Sequence, residues 1–201
     1  MRIAVLASHE GTTLQAVLDG CASGRIAAHV VLVISNNADS GALRRARAAG
    51  VEALHLSSRT HASAEALDRA VCAALADRRA DLVLLAGYMK KLGPVTLERF
   101  AGRVLNTHPA LLPKFGGAGL YGMHVHRAVL AAGERTSGAS LHLVDREYDT
   151  GPVIAQTQVA VQVDDTAEAL AARVQSAERE LLVSVLGDIA AGRRSWPVGA
   201  P

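Results

Sequence analysis

Asn106 and His108, two residues apart at the end of an apolar run, put an amide and an imidazole in one place. The run Arg103-Val104-Leu105 reads as a buried strand, and side chains alternate along a strand, so positions 106 and 108 share a face. Pro109 closes the strand, because it has no N–H to give the ladder. An amide N–H can steady a developing oxyanion, and an imidazole can carry a proton near neutral pH. Asp149 lies further on in the turn-rich stretch Asp145-Arg146-Glu147-Tyr148-Asp149-Thr150-Gly151-Pro152. Folded back beside the strand end, its carboxylate would orient His108 and raise its pKa. The stretch reads equally well as a plain turn.

A second candidate is Ser8-His9-Glu10-Gly11-Thr12-Thr13, which follows an apolar run and leads into a helix. Unpaired N–H groups and the dipole at a helix N-terminus favour a phosphate, although an ordinary N-cap turn fits as well. The G-x-G-x-x-G spacing is absent, and the second strand ends in Ser35-Asn36-Asn37 rather than an acid for a ribose. A P-loop is excluded too, since no Gly-Lys-Ser/Thr follows.

These residues need strands and helices to hold them. Apolar runs at 3–7, 30–35, 52–56, 82–86, 103–107, 137–144 and 152–163 read as strands. Helical periods fall at 14–21, 42–49, 64–79 and 125–132, with Gly50 as a helix-closing glycine. A last long helix begins after Thr166 as N-cap and carries Leu170, Val174, Leu181, Val185 and Ile189 on its apolar face. Strands alternating with helices predict an α/β fold, doubly wound and Rossmann-like, with a mostly parallel sheet of about seven strands. The chain, 1–201, reads as a single domain, and the tail after Gly192 (Ser195-Trp196-Pro197) is too small for a second.

Half of the residues are hydrophobic, which argues against disorder. A net charge of only +2, with arginines scattered among acids, gives no electrostatic support for nucleic acid or a membrane surface. Cys21 and Cys72 show no redox or metal-ligand spacing and should pack as small apolar groups in a reducing compartment. The first apolar run is too short for a signal-peptide core, and no run is long enough to span a bilayer. A cytoplasmic protein is expected. His124, His126 and His142 fit no common zinc pattern, so no metal is expected.

Leu85-Ala86-Gly87-Tyr88-Met89, Asn106-Thr107-His108-Pro109 with Leu111-Leu112-Pro113, Gly138-Ala139-Ser140-Leu141-His142 and Asp149-Thr150-Gly151-Pro152 carry a resemblance. On these motifs the chain resembles the folate-dependent glycinamide ribonucleotide formyltransferases, from Ile3 to about Gly192. The resemblance implies formyl transfer from 10-formyltetrahydrofolate, as co-substrate, to the amine of glycinamide ribonucleotide in purine biosynthesis. It implies direct amine attack through a tetrahedral intermediate, by a monomer or homodimer. By position, Asn106 would donate to the oxyanion, His108 would stabilise it and pass a proton, and Asp149 would hold His108 and help relay the proton away from the attacking amine. Gly11, Thr12, Thr13, Gln175 and Glu178 match the family's ribonucleotide contacts. Met89, Lys90, Lys91, Leu92 and Asn106, with Asp145, Arg146, Glu147, Tyr148 and Asp149, match its folate contacts.

The chain also departs from the family pattern. Thr13 stands where Asn is usual, His9 where Gly is usual, Lys90 where Arg is common, and Ala110 where Ser is common. Ala64 takes the place of an arginine that would meet the folate tail. The loop 114–122 holds four glycines and reads as a flap over the site. Rival readings are a related formyltransferase with another amine acceptor, a formyltetrahydrofolate hydrolase, and a catalytically silent nucleotide-binding protein.

Overall fold

The computed structural model describes residues 1–196, so Pro197 of the short tail lies outside it. Seven strands form one sheet in the order β3-β2-β1-β4-β5-β6-β7. In chain order the elements are β1 (Arg2–Leu6), α1 (Thr12–Ala22), β2 (His29–Ser35), α2 (Gly41–Ala48), β3 (Ala53–His55), α3 (Ala64–Asp77) and β4 (Leu82–Leu85). There follow α4 (Pro94–Arg99), β5 (Val104–His108), α5 (Met123–Ala131), β6 (Thr136–Leu143), β7 (Val153–Ala160) and α6 (Ala167–Ala190). By packing, the described residues divide into two compact units: residues 1–105 with 186–196, and residues 106–185.

In the first unit, β1 pairs in parallel with β2 and with β4, and β2 in parallel with β3. Strands buried on both faces need apolar side chains at every position, which explains unbroken runs such as Leu82-Val83-Leu84-Leu85. Strand order reverses between β1 and β4, and their C-terminal loops diverge there. The Ser8 N–H donates to the Gly87 carbonyl at 3.1 Å, and the Ser8 hydroxyl accepts from the Met89 N–H at 2.7 Å.

Helix ends follow their caps. The Gly50 N–H donates to Arg47 O and the Val51 N–H to Ala46 O, so the predicted closing glycine ends α2 in a Schellman motif with φ +69°. Helix α4 was not expected. Its six residues are too few to show a period, and its first N–H groups are capped from another helix: Asp68 of α3 accepts from the N–H groups of Val95 (2.8 Å) and Thr96 (3.1 Å) and from the Thr96 hydroxyl.

In the second unit, β6 and β7 run antiparallel from Thr136↔Ala160 to His142↔Val153. A small core of Ala110, Val125, Val129, Ala139, Leu170 and Val174 packs α5 and the start of α6 onto this region. Thr166 caps α6 as predicted, accepting from the Ala169 N–H at 3.2 Å. The apolar face of α6 turns slightly from expectation: Leu182 and Leu186 are fully buried, and Leu181 only half.

Candidate active site

Asn106 and His108 close β5 on one face, as the alternation required, and the intervening Thr107 turns the other way, its hydroxyl donating to Glu178 of α6 at 3.0 Å. The Asp149 carboxylate lies 3.4 Å from His108 Nδ1 through Oδ2 and 3.5 Å from His142 Nε2 through Oδ1. Asn106 Nδ2 is 3.0 Å from the same His142 Nε2. The three residues singled out in the sequence therefore meet, with His142 as a fourth member.

One face of β6 builds the support. Gly138, Ser140 and His142 alternate on it. The Ser140 hydroxyl donates to Ala110 O at 2.6 Å and accepts from the Leu112 N–H at 3.0 Å, which fixes the turn after β5. Gln156 of β7 adds donations to Ser140 Oγ (2.8 Å) and Leu112 O (3.0 Å). A Cβ at Gly138 would lie 2.0 Å from Thr157 O and 2.7 Å from Leu111 Cδ2, so no side chain fits there.

Two backbone groups that no motif announced complete the cluster. His108 Nε2 donates to Phe115 O at 2.7 Å, and the Gly117 N–H donates to Asp149 Oδ2 at 3.0 Å. The start of the glycine-rich loop is thus pinned to the ring and the carboxylate. Phe115 and Asp149 both sit at φ +57°, a conformation rare for a bulky residue and easier for Asp. Strained backbone at both contact points marks a site whose surroundings hold it in place.

A carbonyl only accepts, so Nε2 of His108 carries a hydrogen and Nδ1 is bare in the neutral ring. His108 is buried, and its pKa lies below the ordinary imidazole value rather than above it as expected from the carboxylate. Burial is the main cause; Asp149 and the Phe115 carbonyl push upward but do not outweigh it, and His142 adds to the lowering. For Asp149, burial pushes upward, but contact with His142, the Gly117 N–H and the nearby imidazoles hold the carboxyl below its usual value. The resting cluster is a neutral base beside a carboxylate. Proton uptake at Nδ1 would create a cation with an acceptor on each nitrogen.

The first loop has its own geometry in the first unit. Gly11 is the N-cap of α1 at φ +70°, with no side-chain cap, and a Cβ there would lie 2.7 Å from Ala42 Cα. Arg45 fixes the loop by donating to Glu10 O at 2.8 Å and to Gln15 Oε1 at 3.0 Å. Also in this unit is a cavity of about 510 Å³ beyond the C-terminal ends of β2, β3 and β4. Leu67, Val71 and Leu92 line it with Arg59, Lys90, Lys91 and Ala64. Of the other predicted contacts, Met89 and residues 145–148 are exposed, with the Asp145 carboxylate taken up by the Thr150 hydroxyl and the Glu147 N–H. Gln175 is exposed and Glu178 buried. His126 lies inside α5, fully buried. Among the described residues, no three His, Cys, Asp or Glu groups come together to hold a metal ion, and no helix is long and apolar enough to cross a membrane.

The profile of a family described as formyl transferase matches residues 1–186. Phosphoribosylglycinamide formyltransferase of Escherichia coli (strain K12) is 40% identical over 193 residues, covering 96% of this chain and 89% of that protein. The protein of the same name from Mycobacterium tuberculosis (strain CDC 1551 / Oshkosh) is 42% identical over 189 residues, covering 94% and 85%. The crystal structure of glycinamide ribonucleotide transformylase 1 from Symbiobacterium toebii superposes with a TM-score of 0.90 at 41% identity, covering 96% of this chain and 89% of that one. On a match that takes in both the sheet and the residues around Asn106, His108 and Asp149, the chain belongs to the formyl transferase family.

Proposed function

We propose that this chain transfers the formyl group of 10-formyltetrahydrofolate to the amine of glycinamide ribonucleotide, in de novo purine biosynthesis. The observation that carries the reading is a buried amide, imidazole and carboxylate clustered at the end of β5. The amine attacks the formyl carbon, and negative charge gathers on the formyl oxygen. Asn106 donates to that oxygen through the amide hydrogen not directed at His142. His108 Nδ1, bare in the neutral ring and facing Asp149, takes the proton that the attacking nitrogen sheds, relayed through that carboxylate. Asp149 then faces an N–H rather than a lone pair, so the imidazolium is stabilised as it forms. The proton returns to the folate nitrogen as the C–N bond breaks.

The uncapped N-terminus of α1, with Gly11, Thr12 and Thr13, is the phosphate site, and Gln175 and Glu178 contact the ribonucleotide. Folate contacts come from Met89, Lys90, Lys91 and Leu92, and from Asp145, Arg146, Glu147, Tyr148 and Asp149. The mix of apolar walls and cations in the first unit's cavity supports a ligand with both a ring system and carboxylates. Arg59 lines the cavity beside Ala64 and offers a cation where the family's arginine is missing. Residues 1–201 act as one formyltransferase domain, as a monomer or homodimer, in the cytoplasm.

The test is folate product formation from 10-formyltetrahydrofolate, with and without glycinamide ribonucleotide. Turnover that requires the ribonucleotide is expected. Equal turnover without it would identify a hydrolase instead, and none under either condition would leave a silent binding protein.

A further inference from the structure

We infer that His142 is a positioning residue for the reaction, fixing the direction in which Asn106 presents its amide. The inference rests on the reading of Asn106 as the oxyanion donor. His142 is 2% exposed, and its Nδ1 lies 2.8 Å from Leu143 O. That carbonyl can only accept, so Nδ1 holds a hydrogen and Nε2 of the neutral ring is bare. Nε2 faces Asn106 Nδ2 at 3.0 Å, so one amide N–H is donated to the ring. An amide with one hydrogen tied to a buried acceptor has a settled nitrogen end and a settled direction for its second hydrogen.

Without that acceptor, the amide could turn over at little cost. A turned amide offers its carbonyl oxygen where a donor belongs, and two oxygens would then face each other as charge develops. Asp149 Oδ1 stands 3.5 Å from the same Nε2. A protonated His142 would therefore direct its N–H to Asp149, and the Asn106 nitrogen would lose its acceptor. Neutral His142, hydrogen on Nδ1, is the form that holds Asn106 ready.

Two measurements decide it. In acceptor-dependent turnover, His142→Phe should lower kcat about tenfold with KM for both substrates changed less than about twofold, while His142→Gln, whose amide oxygen accepts, should stay within about threefold. If His142 acts through Asn106, adding His142→Phe to Asn106→Ala should slow it no further. Losses that multiply in the double variant, or a change confined to KM, would overturn the proposal. Should the Phe variant not fold, long-range 1H–15N correlation of the wild-type histidines still reads the ring: hydrogen on Nδ1 is expected, and a neutral ring with hydrogen on Nε2 would refute the lock. Absence of acceptor-dependent turnover in the wild-type protein would instead overturn the proposed function, while the 15N spectrum still judges the lock.

Discussion

At His108, burial and the neighbouring carboxylate act in opposite directions, and burial wins. The ring therefore rests neutral and can accept a proton, which is what attack by an amine asks of it. Replacing Asp149 with Asn should leave the fold intact but remove the charge that stabilises the imidazolium, so kcat should fall at least about 10²-fold with modest KM change. Rates from steady-state kinetics check this, and a kcat within a few-fold of wild type would refute the role of Asp149. Burial has a second consequence. His126 is also lowered, mainly by burial and further by His108, and its Nδ1 has no partner among the described residues. For both rings the folded pKa lies below the unfolded value of about 6.5, so the unfolded chain binds more protons in that window. Stability is fully present above about pH 6.5 and is lost as pH falls toward the folded values. His126→Leu should therefore show a smaller drop in Tm between about pH 7.5 and 5.5 than wild type. An equal drop would show that His126 does not contribute.

Strands and capped helices were legible in the sequence because their signals are local. Gly50 and Thr166 end and begin helices at the expected positions, since capping depends on a single residue's backbone freedom or hydroxyl. Helix α4 was hidden because its cap, Asp68, lies on a different element. The Phe115 carbonyl and the Gly117 N–H were equally hidden, because every residue has such groups and only the fold selects two of them. His108's pKa direction was misread for a related reason: a strand end shows its neighbours in sequence, not how deeply it will be buried. The loop after β3 gives a further prediction. The Arg59 guanidinium has no partner among the described residues and lines the cavity with Lys90. If it meets a folate carboxylate, Arg59→Ala should raise the folate KM about two- to fivefold, the scale of an exposed ion pair, with kcat unchanged. An unchanged KM would take Arg59 out of the folate site.

Seven strands in the order β3-β2-β1-β4-β5-β6-β7 give this chain both of its candidate ligand regions. One lies beyond β2, β3 and β4 in the first unit and contains the cavity; the other ends β5 in the second unit and contains the proton-handling cluster. Both lie at C-terminal strand ends, where an α/β sheet opens its loops to ligands. That arrangement was readable from alternating strands and helices, and the pairing of Asn106 with His108 from a spacing of two. The approach of Asp149 was not, because it depends on a turn held from outside itself: a Cβ at Gly151 would meet Leu143 O at 2.0 Å. The most direct trial of the account is the kcat of His108→Ala in ribonucleotide-dependent formyl transfer. A loss of at least about 10²-fold with little change in either KM is predicted. A variant that turns over at nearly the wild-type rate would contradict it, because the imidazole would then not be the group that holds the proton the amine sheds.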